Sequence, residues 1–541
     1  MGWNFGDILD AVEPVLPADA PALVHGDRVI CWREATRASN NLAQAILKRG
    51  AAPGDKLAIY MRNRPEYMIA LAAAFKARLT HVNVNYRYTP DEVWYIFDNS
   101  DAQTVVYASE FRDAVAQIRH KLPGVTTWIE VSEDGRTAEF AEPFEALTAE
   151  GDGAPLSIKR AGDDLLFIYT GGTTGMPKGV MWPHHDLREI TLQAARKLGP
   201  VPETLEALRE HTRKAGPAPA ALIAPPLMHG TGLLTAMGVH LAGGCIVTLT
   251  GEAFDPVEML DAIERRRPQS LTIVGDSFAR PILEALDAQP GRWDVSSVAA
   301  IVSSGVMWSL EVKRGLLRHM PQAVLNDAFS SSEALGMGTS VMTRAGEVQT
   351  AKFALTDRCR VFDEDDRAVL PGSGVQGVVA LGPPNPIGYY KDVEKTARTF
   401  RVIDGVRYSM PGDWCLVEAD GSLTLLGRGN ACINTAGEKV FPEEVEEALK
   451  THPSVADALV VGLPDPKWGQ AVTAVIELAA GQTLDEAVVR AHVRTTLAAY
   501  KAPKRIFVAD RPLRVSNGKA DYPAAKACAE TAALSATTPP H

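Results

Sequence analysis

Short apolar strands alternate with helical segments from Leu57 to Val302, and this alternation limits the possible fold more than any other feature of the sequence. Apolar, β-rich runs begin at Leu57, His81, Thr104, Leu165, Ala221, Ser270 and Ala299, and the segment from Glu66 to Ala77 has a helical pattern. Such alternation is typical of largely parallel sheets with helices packed on them. The sequence therefore predicts an α/β fold. Its 541 residues predict more than one domain, because single cores stop growing near roughly 250–300 residues.

The pattern changes twice in the second half of the chain. From Gly374 to Leu426 short strands and turns predict a β-rich subdomain, and after Gly427 a mixture of helices and strands predicts a compact α+β unit. In that unit we expect helices over 442–450 and 484–497 and strands over 456–463 and 471–478. The predicted domains are an N-terminal core over 1–429 and a C-terminal domain over 430–530, followed by a disordered, Ala-rich tail over 531–541.

Charge and cysteine usage narrow the class of protein. A formal net charge of -11 argues against broad attraction to nucleic acid or anionic lipid. The six cysteines include no Cys-x-x-Cys pair and the N-terminus has no signal-peptide pattern, so a reducing cytoplasm is expected. Residues 221–250 carry no charge, but Pro225-Pro226 and Gly243-Gly244 interrupt them. We expect a strand, a helix and a second strand there, not a membrane span.

A glycine- and threonine-rich loop follows the predicted strand at Leu165. It runs from Tyr169 to Gly179 as Tyr-Thr-Gly-Gly-Thr-Thr-Gly-Met-Pro-Lys-Gly. Glycines let the backbone approach an anion, the threonines add hydroxyl donors and Lys178 adds a positive charge. The spacing does not match a Walker loop, because no Ser or Thr follows Lys178. The loop predicts a phosphate-binding site of another kind.

Seven further motifs follow in a fixed order, and together with this loop they resemble the acyl-adenylate-forming superfamily over nearly the whole chain. The motifs are Pro226-Leu-Met-His229, Ser303-Ser-Gly305, Phe329-Ser-Ser-Ser-Glu333, Gly412-Asp413, Gly427-Arg428, Gly437-Glu438-Lys439-Val and Ser516-Asn-Gly-Lys519. The segments Asn83-Val-Asn-Tyr-Arg-Tyr and Cys432-Ile-Asn-Thr-Ala-Gly-Glu-Lys-Val-Phe-Pro look most like those of CoA ligases for long-chain, branched or steroid side-chain acids.

The resemblance implies a fold and an activity. The fold is a large N-terminal domain of two stacked α/β sheet subdomains plus the β-rich subdomain, followed by a small mobile α+β domain. The activity is ATP-dependent activation of a hydrophobic carboxylic acid as acyl-AMP and transfer of the acyl group to CoA. The implied cofactors are ATP/AMP, Mg²⁺ and coenzyme A, the acid is of long-chain, branched, steroid or terpenoid type, and a homodimer is a further expectation.

The resemblance also implies roles for residues that bind the nucleotide. Lys519 would bridge the carboxylate and the α-phosphate, Glu333 would hold Mg²⁺, and Asp413 and Arg428 would bind the ribose. Phe329 would stack on the adenine and Asp327 would meet its amino edge. The complete nucleotide-binding set is Thr170, Gly171, Gly172, Thr173, Thr174, Gly175, Lys178, Ser304, Gly305, Asp327, Ala328, Phe329, Ser330, Ser331, Ser332, Asp413, Arg428 and Lys519. The catalytic set is Lys519, Glu333, His229 and Thr174.

Further roles concern the acid and CoA. The acid would lie beside His229, Leu234, Gly275, Asp276, Phe278, Met307 and Gly336. The pantetheine arm of CoA would meet the hairpin of Ala436, Gly437, Glu438 and Lys439. Asn430 would be the hinge about which the small domain rotates between the two half-reactions.

Four positions depart from the family's usual residues and leave a second activity open. They are Gly171, Ser330, Asn430 and Ala436. Ser330 and Ala436 place side chains where a glycine is usual, which favours as an alternative a divergent member that mainly thioesterifies a supplied acyl-adenylate. A non-catalytic carboxylate-binding module is disfavoured, because Lys178, Glu333, Arg428 and Lys519 occur together.

Overall fold

The computed structural model describes residues 3–170, 176–196, 199–305, 308–346, 352–428, 433–435, 438–465, 469–497, 499–515 and 520–537. At positions 194, 428, 434, 438–439, 469, 496 and 535–537 the description covers the backbone alone. By their internal contacts the residues divide into two units: 1–350 with 381–409, and 351–380 with 410–541.

The helices and strands are numbered in chain order. The helices are α1 Phe5–Val12, α2 Trp32–Lys48, α3 Pro65–Lys76, α4 Pro90–Asn99, α5 Arg112–Ile118, α6 Phe144–Ala149, α7 His184–Arg196, α8 Leu205–Ala215, α9 Gly230–Leu241, α10 Pro256–Arg266, α11 Gly275–Ala288, α12 Leu310–His319, α13 Val393–Thr399, α14 Pro442–Lys450, α15 Glu486–Thr496 and α16 Tyr522–Thr537. The strands are β1 Pro21–His25, β2 Arg28–Cys31, β3 Lys56–Tyr60, β4 Thr80–Asn83, β5 Ala102–Ala108, β6 Thr127–Val131, β7 Glu142–Pro143, β8 Leu165–Thr170, β9 Lys178–Pro183, β10 Ala221–Ile223, β11 Ile246–Thr248, β12 Ser270–Ile273, β13 Ala300–Ser304, β14 Val324–Ser331, β15 Ala334–Met342, β16 Lys352–Leu355, β17 Cys359–Phe362, β18 Gln376–Leu381, β19 Gly388–Tyr389, β20 Phe400–Ile403, β21 Val406–Ser409, β22 Asp413–Val417, β23 Leu423–Arg428, β24 Ile433–Thr435, β25 Glu438–Val440, β26 Val455–Asp465, β27 Gly469–Leu478 and β28 Arg505–Val508.

The first unit contains two mixed sheets. One has the strand order β2-β1-β11-β10-β12-β13-β14-β15, parallel from β1 to β14 with antiparallel strands at both ends. The other has the order β19-β9-β8-β4-β3-β5-β6-β7, parallel from β8 to β7 and antiparallel at β9 and β19. This arrangement confirms the predicted α/β fold with largely parallel sheets.

One apolar core joins the two sheets of this unit. It contains Leu23 and Ile246 from the first sheet, Ile59 and Ile168 from the second, and most of the buried face of α2. The strands in it are short continuous apolar runs, as expected for strands that are covered on both faces. Burial on both sides places the ends of β8, β13 and β14, where the polar motifs lie, at the edge of a rigid scaffold.

The second unit is built from smaller sheets. Strands β16, β23, β22 and β18 form an antiparallel sheet, with β17 paired to β18, which confirms the predicted β-rich region. Strands β25, β24, β27 and β26 form another sheet, with β28 added in parallel to β27, and α14, α15 and α16 accompany it. The predicted boundary at residue 430 lies within this unit and stays a prediction.

The C-terminal tail differs from its expected disorder. Helix α16 runs from Tyr522 to Thr537, so residues 531–537 are helical, while residues 538–541 lie outside the described part. Alanine has the highest helix propensity, and Ala525 and Ala529 pack into an apolar cluster with Leu459 and Leu513. The run of uncharged residues forms β10, α9 and β11, as predicted. Among the described residues, no helix is long and apolar enough to cross a membrane.

Candidate active site

The glycine-rich loop connects two antiparallel strands. β8 ends at Thr170 and β9 begins at Lys178, and these two residues pair across the hairpin. The predicted phosphate-binding residues Gly171 to Gly175, including Thr173 and Thr174, lie outside the described residues. Because a strand follows the loop, no helix begins directly at its end, and the predicted phosphate binding would use backbone N–H groups, hydroxyls and Lys178.

Lys178 has a carboxylate partner within the same unit. Its Nζ lies 3.2 Å from Oδ2 of Asp392, and both side chains are more than half buried. The Asp392 carboxylate also accepts the backbone N–H of Lys395 as the N-cap of α13. The N–H of Lys395 and the Lys178 ammonium lower the pKa of Asp392 against the opposing effect of burial.

Glu333 is held by hydrogen bonds from Tyr389, which lies three residues before Asp392, and from Ser409. The hydroxyl of Tyr389 donates to Oε1 of Glu333 at 2.7 Å, and Ser409 Oγ donates to the Glu333 carbonyl at 2.6 Å. Lys395 Nζ lies 4.2 Å from the centre of the Tyr389 ring. Burial lowers the pKa of Lys395, and Lys178 lowers it further, whereas Glu333 and Asp392 raise it. The charged groups of Lys178, Glu333, Asp392 and Lys395 therefore lie close enough to interact electrostatically.

The strand before Glu333 carries the predicted adenine-binding residues. Ser304 and Ala328 pair across the parallel strands β13 and β14, and Ser304 Oγ donates to the Ala328 carbonyl at 2.9 Å. Gly305 adopts a φ of 93°, which favours glycine. A side-chain carbon at that position would come within 3.7 Å of Thr231 Oγ1. The end of β13 thus lies against the first turn of α9.

Asp327 and Phe329, the predicted adenine-binding residues, are both buried. Asp327 is 6% exposed, and its Oδ2 accepts from Lys313 Nζ at 3.0 Å. Burial raises the pKa of Asp327, while Lys313 opposes this shift. Phe329 is 8% exposed on β14. Contact of these residues with adenine stays a prediction, and the Asp327 carboxylate already has a cationic partner.

Ser330 has a structural role that the sequence did not reveal. Its Oγ accepts the backbone N–H of Gly336 at 3.0 Å, beside the irregularity in the β14–β15 pairing. Gly336 has a φ of 79°, so the bend needs a glycine there, and the Ser330 hydroxyl satisfies its N–H. Beyond the bend, the Ser332 carbonyl accepts from Trp182 Nε1 at 2.8 Å. The Phe329–Glu333 turn is held from both sides.

His229 stands at the N-cap of α9, and two side-chain amides, one partly buried and one buried, position the segment before it. The Asn63 side chain donates a hydrogen bond to the Pro225 carbonyl and accepts one from the Leu227 N–H. Asn83 donates to the carbonyls of Met228 and Tyr169 and accepts the Tyr169 N–H. A side-chain carbon on Gly230 would lie 3.6 Å from Ser332 Oγ. These contacts bring the start of α9, the end of β8 and the Glu333 turn together.

The predicted acid-binding residues have different surroundings in the structure. Leu234 lines an apolar cavity of about 700 Å³ beside α1, α7, α8 and α9. Asp276 instead bonds the Ser309 N–H and pairs with Arg280, and the Phe278 ring packs against Phe254 with centroids 4.5 Å apart. The Gly275 N–H donates to Ser303 Oγ at 2.9 Å. Met307 lies outside the described residues.

The remaining predicted residues belong to the second unit. Asp413 and Arg428 pair across β22 and β23, which places both at one end of that hairpin. Strands β24 and β25 form the predicted hairpin, with Thr435 opposite Glu438 and Asn434 opposite Lys439. Ala436, Gly437, Asn430 and Lys519 lie outside the described residues.

Tyr389, Asp392, Asn63 and Asn83 are the site residues whose roles sequence reasoning missed. Asn83 stands in a quoted motif, but its three bonds join segments that are 86 and 145 residues away. Tyr389 and Asp392 lie in none of the recognised motifs. In the structure, Gly388-Tyr389 forms an edge strand that pairs with β9. A sheet-edge strand paired next to a phosphate loop is a signal that only the topology provides.

The chain is similar to known proteins over nearly its whole length. The AMP-binding enzyme model matches residues 13–390, and the model of the AMP-binding enzyme C-terminal domain matches residues 444–519. A medium/long-chain fatty acid–CoA and 3-oxocholest-4-en-26-oate–CoA ligase from Mycobacterium marinum is 38% identical over 538 residues, covering 97% of this chain and 96% of that protein.

Two solved structures share the fold. The crystal structure of an anthranilate CoA ligase in complex with anthranoyl-AMP has a TM-score of 0.84 at 21% identity and covers 98% of both chains. The structure of ATP-bound MatB from Rhodopseudomonas palustris has a TM-score of 0.80 at 25% identity and covers 98% of this chain and 99% of that one.

Proposed function

This chain belongs to the AMP-binding enzyme family, and from that premise we propose that it is an ATP-dependent ligase that joins a hydrophobic carboxylic acid to coenzyme A. The acid is of long-chain, branched, steroid or terpenoid type, in keeping with the fatty and 3-oxo steroid acids named for the mycobacterial relative. The observation that carries the proposal is the convergence of Lys178, Glu333 and the start of α9 at the ends of β8, β13 and β14.

The first half-reaction forms the acyl-adenylate. A carboxylate oxygen of the acid attacks the α-phosphorus of ATP, the bond from that phosphorus to the bridging oxygen breaks, and pyrophosphate leaves. Because two anions meet, the site must neutralise concentrated negative charge. Lys178 and the loop from Thr170 to Gly175 would hold the phosphates, and Lys519 would bridge the carboxylate and the α-phosphate.

Glu333 suits a magnesium ion that is shared with the nucleotide. Among the described residues, no group of three His, Cys, Asp or Glu side chains could hold a metal alone. Mg²⁺ commonly uses one or two carboxylates plus phosphate oxygens and water, so a single oriented glutamate fits. When bound there, Mg²⁺ would neutralise phosphate charge, while Tyr389 holds the carboxylate in one orientation.

The second half-reaction consumes the adenylate. The CoA thiol loses its proton, its sulfur attacks the acyl carbon, and AMP leaves as the carbon–oxygen bond of the mixed anhydride breaks. His229 at the start of α9 would lie beside the acyl carbonyl. Rotation about Asn430 would bring the Ala436–Lys439 hairpin to the pantetheine arm. Phe329 and Ser304-Gly305 would hold the adenine, and Asp413 and Arg428 the ribose.

Three expectations accompany this proposal. We propose Mg²⁺ as the metal, a homodimer as the assembly and the cytoplasm as the compartment. The cytoplasm rests on cysteine usage, and Cys31, Cys245, Cys359, Cys415 and Cys528 are free thiols.

The proposed function is tested by pyrophosphate exchange into ATP with a panel of fatty, branched, steroid and terpenoid acids. Thioester formation from each synthetic acyl-AMP and CoA is measured in parallel. Exchange that depends on an acid is the expected result. Rapid thioester formation without any exchange would favour the alternative in which the chain only thioesterifies a supplied adenylate.

The structure weakens one motive for that alternative. Ser330 is one of the two positions with a side chain where a glycine is usual, and its hydroxyl accepts the Gly336 N–H. A bonded serine is compatible with adenylation, because it satisfies a backbone donor at the bend.

A further inference from the structure

A cavity of about 700 Å³ with mostly apolar walls lies beside α1, α7, α8 and α9. Ligand sites commonly have volumes of about 300–1,000 Å³ and apolar walls with few polar groups. Residues of four helices of the first unit line this cavity. Its volume is therefore typical of a binding site for a large apolar molecule and is much larger than the small voids left by imperfect packing.

The cavity begins beside the reaction centre and follows α9. Leu234 lies five residues after His229, and Leu335 lies two residues after Glu333; both line the cavity. Along α9 the lining positions are 234, 237, 238, 241 and 242, which form one helix face. At about 1.5 Å per residue, this face extends the cavity by about 12 Å from Leu234.

Gly238 widens the cavity in the middle of that face. A side-chain carbon built on this residue meets no atom within 4 Å. Glycine inside a helix costs about 1 kcal/mol relative to alanine, so local propensity does not explain it. The missing side chain leaves space where a larger residue would fill the cavity.

One cation stands in the apolar wall. The Arg188 guanidinium lies 3.8 Å from the centre of the Trp3 ring and donates to the Pro202 carbonyl at 3.3 Å. Burial lowers the pKa of Arg188, while Glu203 and Glu189 raise it. A guanidinium has five N–H donors, so it can serve a further acceptor.

Arg188 is remote from the phosphate loop. Strand β9 runs from Lys178 to Pro183, and Arg188 follows in the first turns of α7. At roughly 3.3 Å per residue the strand alone separates its two ends by about 17 Å. A molecule whose carboxylate is at the loop could therefore present its opposite end to this arginine.

We propose that this cavity binds the tail of the acid and that Arg188 donates a hydrogen bond to an oxygen acceptor at the end remote from the carboxylate. This inference rests on the proposed function and names its substrate class: a large, rigid hydrocarbon acid with a distal keto oxygen. Apolar walls take up the hydrocarbon, and the arginine selects for the oxygen.

The first test measures the dissociation constants of two steroid acids that differ only in the distal keto oxygen, by calorimetry with the full chain. Wild type should bind the keto acid about tenfold more tightly, within the range of one buried hydrogen bond. Arg188→Met should reduce this ratio of the two dissociation constants to near one. Arg209→Met, on an exposed face of α8, is the matched control and should keep the wild-type ratio.

The second test fills the cavity. Gly238→Phe should lower the ratio of affinities for the steroid acid over hexanoate by at least about tenfold, because its ring occupies space that the tail needs. Gly238→Ala should lower the ratio far less. Unchanged ratios in both Arg188→Met and Gly238→Phe would overturn the inference. Because binding is measured without turnover, loss of pyrophosphate exchange with every acid would contradict the proposed function separately.

Discussion

Two side chains at the site act on the residues expected to bind magnesium and phosphate. Tyr389 holds Glu333 through its hydroxyl, and Asp392 holds Lys178 through its carboxylate. Both come from one short segment after β18, so a few residues orient the charged groups from outside the motifs. Each contact can be removed by deleting one functional group.

Tyr389→Phe should lower kcat/KM for acid-dependent pyrophosphate exchange about tenfold, because a hydrogen bond to a charged carboxylate is worth about 1.5–3 kcal/mol. The variant should also need more magnesium for half-maximal rate, which a general loss of folding would not produce. Tyr390→Phe is the control, since the Tyr390 hydroxyl donates to Asp101 instead. Equal losses in the two variants would show that the bond to Glu333 has no special role.

Asp392→Asn should lower KM for ATP about two- to fivefold, the range of a partly exposed ion pair. The substitution frees Lys178 for phosphate, and asparagine keeps the N-cap of α13. Steady-state kinetics with ATP as the varied substrate gives the answer, with Glu394→Gln on the same helix as the control. A raised KM would mean that Asp392 assists nucleotide binding and does not compete for Lys178.

At the scale of elements, α14 of the second unit carries a buried acid. Oε1 of Glu446 accepts the Val460 N–H at 2.9 Å and Oε2 accepts from the Tyr522 hydroxyl at 3.2 Å, which joins α14 to β26 and α16. Burial raises the pKa of Glu446 to about 8, and Glu443 adds to the shift. The folded unit therefore keeps a proton that the unfolded chain loses near its ordinary pKa of about 4.5.

Stability of the second unit should consequently fall between about pH 4.5 and 8, because the folded state binds more protons than the unfolded state in that range. Hydrogen exchange of the β26 amides at pH values across this window measures the effect after correction for intrinsic rates. Glu446→Gln should flatten the dependence, while Glu447→Gln, which loses a pair with Lys450, should keep it. The same slope in wild type and Glu446→Gln would contradict this assignment.

The elements around the site were largely predictable, because β-rich runs and glycine-rich turns are local signals. The strand before the loop and the β10–α9–β11 order were predicted and confirmed, as was the helix 442–450 of the second unit. The roles of Tyr389, Asp392 and Asn83 were not, because each depends on sheet pairing between distant segments. The helical start of the tail was not predictable from its composition, because it continues α16, whose Ala525 and Ala529 pack with Leu459 and Leu513, and Ala533 of the tail packs against the same cluster.

For the whole molecule, two family models match the chain, at residues 13–390 and 444–519, and the internal contacts also divide it into two units. Arg188 and Gly238 stood in no motif, so the proposed selectivity for a distal oxygen could not be predicted from the sequence. Motif residues serve the chemistry that a family shares, whereas the cavity wall is assembled from helices far apart in the chain. The acid class was therefore implied by the sequence, whereas the proposed selectivity for a distal oxygen requires the structure.

The central claim is that a carboxylate oxygen of the acid attacks the α-phosphorus of ATP. The most direct measurement supplies a steroid or fatty acid with ¹⁸O in both carboxylate positions, together with ATP and CoA, and analyses the products by mass spectrometry. The account predicts one ¹⁸O atom in each AMP formed and none in pyrophosphate. Label in inorganic phosphate with ADP as the nucleotide product, or thioester formation with unlabelled AMP, would contradict it.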